Sequence, residues 1–146
     1  MESGRIVEQY TDPTHWISRF QRRFWAGPAR SVDRVLREGD TVAGFEVLEV
    51  PGHSPGHLAF HRASDGVLIL GDVLLNMDLL TTRTGLQEPP ALFTPNPEQN
   101  RRSAKRLGPL RPNLVCFGHG PPLRDPDRFA SFCEALPSSR PAAPTG

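Results

Sequence analysis

Three short stretches carry the side chains able to do chemistry: Pro51-Gly52-His53-Ser54-Pro55-Gly56-His57, Gly71-Asp72 and Gly118-His119-Gly120. Imidazole nitrogens and carboxylate oxygens are ligands for zinc or iron, and a carboxylate can bridge two such ions. Each ligand stands beside a glycine, which removes side-chain bulk and permits a tight turn, so the backbone can pass close to an ion or substrate. His53, Asp72 and His119 are therefore the candidate metal ligands. For His57, a hydrogen bond that fixes the loop or a neighbouring ligand explains the residue better than ligation does. Turn chemistry is enough to explain Asp78, while His61 reads as a sheet-surface residue and His15 as a helix-start residue.

The elements that must position these groups follow from the surrounding pattern. Each candidate ligand comes after a short apolar run, over residues 45–50, 67–70 and 114–117, and such runs bounded by Gly and Pro read as buried strands. Residues 32–36 read as a further short strand closed by Gly39-Asp40, and residues 42–50 as one strand interrupted by Gly44. Ser64-Asp65-Gly66 predicts a hairpin between strands at 57–61 and 67–70. Two helix starts are explicit. Asn96-Pro97-Glu98-Gln99 offers an N-cap, a proline at the first helical position and Gln three residues on, and Asp125-Pro126 repeats the signal. The first helix should stop at Gly108-Pro109 and carries Arg101, Arg102, Lys105 and Arg106, by default a solvated face. Trp16, Ile17, Phe20, Phe24 and Trp25 fit one amphipathic helix ending at Gly27-Pro28. Residues 74–93 show no assignable period, and the Pro- and Ser-rich tail over 137–146 reads as disordered.

Composition excludes several classes of function. A net charge of +1 gives no reason to expect nucleic acid or an anionic membrane as partner. No apolar run approaches the ~20 residues of a membrane span, and the first residues lack the apolar stretch of a secretion signal. With 146 residues the chain is long enough for one core, organised as an N-terminal helical segment (1–29), a main domain (30–136) and the tail. Two cysteines, Cys116 and Cys133, make no disulfide framework and read as buried reduced thiols, which points to the cytoplasm.

The order strand, PGHSPGH, strand, GD, helix, strand, GHG resembles the C-terminal half of a metallo-β-lactamase-fold metallo-hydrolase, over roughly residues 32–136. The family's earlier H-x-H-x-D-H motif has no counterpart in this sequence. The resemblance implies an α/β (α+β) fold, half of an αββα sandwich, with a mixed sheet and covering helices. It implies His53 and His119 as metal ligands, Asp72 as the catalytic bridging carboxylate, and zinc (one or two ions), iron or manganese as cofactor. It further implies hydrolysis of small-molecule esters, thioesters or lactam-type compounds. Without the earlier motif each of two ions keeps two protein ligands here, unless all three residues converge on one ion. The half fold also leaves one sheet face bare, so self-association or capture of a complementary N-terminal half is expected. The alternative is a non-catalytic remnant that acts by binding a partner.

Overall fold

The computed structural model describes residues 32–137. The expected aromatic helix, His15 and residues 138–146 of the tail lie outside the described residues. Contacts divide the chain between Leu36 and Arg37. Of the first unit, residues 32–36 are described, and they form no strand, contrary to the expectation from Val32 and Val35. Both valines are exposed. A β-branched side chain favours a strand through the neighbours it packs against, and here no ladder forms around it.

The second unit contains β1 (Thr41–Val42), β2 (Phe45–Glu49), β3 (Leu58–Arg62), β4 (Val67–Gly71), β5 (Leu75–Met77), β6 (Thr84–Gln87), α1 (Pro97–Leu107), β7 (Leu114–Phe117) and α2 (Pro126–Ala135). Five strands form a mixed sheet in the order β1-β2-β3-β4-β7. All neighbours in it are antiparallel except β4 and β7, which run parallel. The expected single strand over 42–50 is a hairpin instead. Ala43 and Gly44 both take positive φ, 49° and 80°, which reverses the chain and pairs Val42 with Phe45. Two left-handed residues make the turn whose twist suits a two-residue hairpin. The unassigned segment holds the antiparallel pair β5-β6 and one 3-10 turn at Ala91–Phe93.

Both helices begin as their sequences dictate. Asn96 accepts a hydrogen bond from the Gln99 backbone N–H, Asp125 does the same for Arg128, and each cap is followed by proline. These bonds satisfy donors that the first helical turn otherwise leaves unpaired. The helices pack on one sheet face. Ala59, Leu68, Leu70 and Val115 from the strands join Ala104, Leu107, Phe129 and Cys133 from the helices in one buried cluster. Strand alternation sends the intervening residues to the opposite face, where Phe60, Ile69 and Cys116 line up in register. There Ile69 is 41% exposed in mid-sheet.

The topology has one consequence for the candidate ligands. Strands β2, β4 and β7 point the same way, because β2 and β4 are each antiparallel to β3 and β7 is parallel to β4. Their C-terminal ends therefore share one sheet edge, and His53, Asp72 and His119 follow those three ends.

Candidate metal centre

Asp72 is the pivot. The chain leaves β4 at Gly71, whose φ of 62° turns the backbone, and the ladder to β7 shifts register at the same point. The Gly118 N–H then donates to the Gly71 carbonyl at 2.9 Å, bringing the GHG loop against the start of Asp72. The approach leaves no room for a side chain at position 118. A Cβ there would lie 2.0 Å from Asp72 Oδ1. That oxygen is buried and has no hydrogen-bond partner, a costly state for a carboxylate oxygen unless something else faces it.

What faces it is imidazole. Asp72 Oδ1 lies 3.8 Å from His119 Nε2, and Asp72 Oδ2 lies 3.8 Å from His53 Nε2. This is too long for a hydrogen bond. It is near the ~3.4 Å that separates two ligands placed about 2.1 Å from one tetrahedral ion. The carboxylate thus presents one oxygen to each histidine. Among the described residues, no group of three or more His, Cys, Asp or Glu side chains gathers closely enough to hold one ion. As placed, His53 and His119 each face a different oxygen of the Asp72 carboxylate. The structure holds two His–carboxylate pairs that share Asp72.

The two histidines are supported differently. His53 is 21% exposed, and its Nδ1 lies 3.3 Å from the Thr94 hydroxyl. Burial pulls its pKa below the ordinary 6.5; the Asp72 charge opposes this, and His57 and His119 add to the lowering. A neutral imidazole, the metal-ligating form, results near neutral pH. The His119 side chain is 49% exposed. Its backbone is fixed where its ring is not: the Asn76 N–H donates to the His119 carbonyl at 3.0 Å, and Asn76 Nδ2 to the Pro121 carbonyl at 2.8 Å.

His57 stands behind Asp72, its ring edge-on to that of His53 with centroids 5.7 Å apart. Its Nε2 is 3.2 Å from the Asp72 backbone N–H and 3.4 Å from the Leu70 carbonyl, while Nδ1 is 3.4 Å from Ser54 Oγ. Nε2 cannot accept from one group and donate to the other in the same neutral ring. The shorter contact, with its fixed N–H donor, makes Nε2 the acceptor. The proton then sits on Nδ1 toward Ser54. A Cβ at Gly71 would lie 2.6 Å from His57 Nε2, so this ring occupies the space that glycine vacates.

The remaining candidates stay apart. Asp78 Oδ1 accepts from the Leu80 and Thr81 backbone N–H groups and the Thr81 hydroxyl, bonds that hold its carboxyl below the usual range. His61 pairs across the sheet with Leu68 and is half-buried. Within the basic cluster, Arg101 pairs with Glu88 and Arg106 with Glu38. Both cysteines are free, and burial pushes the Cys133 thiol up to about 12. No described helix is long and apolar enough to cross a membrane. Sequence reasoning missed Thr94 and Asn76. For Asn76 the available signal is a polar residue set in the apolar run Val73-Leu74-Leu75 and Met77, while Thr94 carries none.

The model of the metallo-β-lactamase superfamily matches residues 6–119. A probable metallo-hydrolase, YflN, of Bacillus subtilis is 35% identical over 82 residues, covering 52% of this chain and 31% of that protein. A hydroxyacylglutathione hydrolase of Cereibacter sphaeroides is 39% identical over 93 residues, covering 60% and 32%. Among solved structures, TTHA1623 in a di-iron-bound form is similar at TM-score 0.51 and 36% identity, covering 72% of this chain and 51% of that one. The chain spans about a third of the length of the curated relatives it matches.

Proposed function

The chain belongs to the metallo-β-lactamase superfamily, and we propose that His53, Asp72 and His119 are its contribution to a divalent-metal hydrolytic centre. The observation that carries this reading is the placement of one imidazole Nε2 at 3.8 Å from each oxygen of a single carboxylate. The donor set fits a cation in kind. It combines two imidazoles with a carboxylate whose buried Oδ1 lacks any other partner. Zinc is the proposed ion, with iron or manganese as alternatives, and the di-iron form of a similar structure keeps iron in view.

His53 and His119 would hold the ion or ions on either side, and Asp72 would bridge. A divalent cation there supplies Lewis acidity and allows water to lose a proton near neutral pH. Asp72 contributes the negative charge that draws the cation in. The wall at Gly118 keeps that carboxylate at the junction of the two pairs. His57 holds the Asp72 backbone N–H and so sets the direction from which the side chain leaves the strand. Esters, thioesters and lactam-type compounds are the proposed substrates. Relatives named hydroxyacylglutathione hydrolase put acyl thioesters first. The unpaired Cys116 and Cys133 thiols fit a reducing cytoplasm.

Each His–Asp72 pair supplies two protein ligands, one fewer than a catalytic zinc takes. By itself the chain is therefore expected to retain zinc weakly and to turn over thioesters slowly. The test is metal analysis after gel filtration of zinc-loaded chain, with thioester hydrolysis assayed alongside. Weak retention that His53→Ala or Asp72→Asn removes supports the reading. Stoichiometric retention indifferent to both substitutions overturns it.

The exposed Ile69, in register with Phe60 and Cys116, favours a second reading in which the chain acts by pairing with another chain. Self-association or a complementary N-terminal half would cover that face, removing apolar surface at about 25 cal/mol per Å². A monodisperse monomer in gel filtration that ignores an added N-terminal half would exclude it.

A further inference from the structure

We infer that Thr94 is a positioning residue that fixes the tautomer of His53, leaving the Nε2 lone pair turned toward Asp72; the inference rests on reading His53 as a metal ligand. A hydroxyl has one proton to donate. The Thr94 hydroxyl donates it to the Pro90 carbonyl at 3.1 Å. Toward His53 Nδ1, 3.3 Å away, Thr94 Oγ1 can then only accept. Nδ1 must carry the ring proton, and in a neutral imidazole Nε2 is left as the lone pair. Nε2 is the atom that faces Asp72 Oδ2 at 3.8 Å.

The local structure commits Thr94 to this role. The residue is 3% exposed, so its hydroxyl has no solvent to turn toward. Its backbone is pinned by the 3-10 turn at Ala91–Phe93, where the Thr94 N–H donates to the Ala91 carbonyl at 3.1 Å. The Pro90 carbonyl takes both the Phe93 N–H at 2.9 Å and the Thr94 hydroxyl, which fills its two lone pairs. Two residues on, the Asn96 N–H donates to the Gly52 carbonyl at 3.1 Å and ties this segment to the loop that carries His53. A threonine side chain is also stiff about its first torsion, so the hydroxyl direction follows from the backbone. The opposite tautomer would need Thr94 to give its proton to Nδ1 and abandon Pro90. It would also point an N–H, rather than a lone pair, at the ion. Outer hydrogen bonds of this kind set the orientation and basicity of a ligating histidine.

The test reads the tautomer directly, on the full chain, metal-free and ¹⁵N-labelled, by long-range proton–nitrogen NMR at a pH where the ring is neutral. His53 should carry its proton on Nδ1 in the wild type and in Thr94→Ser, which keeps the hydroxyl. Thr94→Val keeps the volume but cannot accept, so His53 should shift to the Nε2–H form facing Asp72. Zinc affinity, measured against a competing chelator, should fall about tenfold or more in Thr94→Val and recover in Thr94→Ser. A wild-type His53 protonated on Nε2 overturns the inference without recourse to any variant. An unchanged tautomer or an unchanged affinity in a folded Thr94→Val overturns it as well. Absence of zinc binding by the wild type would strike the metal reading instead, and the metal-free spectra would still decide for or against Thr94.

Discussion

The two sides of Asp72 are built to different standards. On the His53 side the ring is mostly buried, its Nδ1 meets Thr94, and the loop that carries it is tied to the start of α1. On the His119 side the ring is half exposed, and only its backbone is held, through Asn76. One side is organised before any ligand arrives. The other has a fixed backbone and a half-exposed ring with no hydrogen-bond partner among the described residues to orient it, so a cation has more of the imidazole's freedom to remove as it binds. That ordering has an entropic cost, since fixing a side chain in one rotamer opposes binding. Affinity should therefore be unequal across the carboxylate, with the His53 side the tighter.

The strongest way to break this comparison is to remove what both sides share. Gly118→Ala would place a methyl group 2.0 Å from Asp72 Oδ1 and drive the carboxylate out of its seat. Zinc affinity should fall by more than the about 100-fold attributed to loss of an outer partner, matching Asp72→Ala. Chelator competition on the folded variants measures it. Retained affinity in Gly118→Ala would mean that the carboxylate does not bind from this position.

Separating the sides sharpens it. His53→Ala should weaken zinc about tenfold more than His119→Ala, because the first removes a ligand oriented by Thr94 and the second a half-exposed ring without such a partner. Equal losses in the same competition assay would erase the distinction.

A smaller effect should follow from His57→Ala, which leaves the Asp72 backbone N–H without its acceptor. The expected loss is about 1 kcal/mol, seen as a lower urea midpoint, with both sides weakened alike. The smallest effect is in pH. The folded-state pKa of His53 lies below its ordinary 6.5, so the unfolded chain binds more protons between the two values. Stability contributed by the neutral ring is then complete above that ordinary value. It is lost as pH falls through the window and levels off below the folded pKa. The urea midpoint of wild type should drop more between pH 7.5 and 5.5 than that of His53→Gln. A parallel drop would show that the ring is not held neutral by burial.

Much of this site was legible in the chain. Gly-flanked His53, Asp72 and His119 each follow an apolar run, and strand ends on one edge are where such runs deliver them. The helix caps at Asn96 and Asp125 were equally plain, because a capping side chain and a following proline act within one turn. What escaped depends on contacts far apart in sequence or on an atypical residue. Thr94 reaches His53 across 41 positions, and Thr-Pro there reads as ordinary loop. The β1-β2 turn was hidden by Ala43 at a left-handed position usually taken by Asn, Asp or Gly. Strands β5 and β6 show no clean alternation, since Asn76 is buried to hold the His119 loop rather than turned to solvent. Val32 to Leu36 misled in the other direction, having strand-forming residues and no ladder to join.

The central claim is that Asp72 holds a divalent cation together with a flanking imidazole, most tightly on the His53 side. Anomalous diffraction from zinc-soaked crystals of the full chain, recorded across the zinc edge, tests it most directly. The expected result is a peak about 2.0–2.2 Å from both His53 Nε2 and Asp72 Oδ2, with a weaker second peak, or none, on the His119 side. Zinc bound elsewhere, or a map with no peak near Asp72, would contradict the claim.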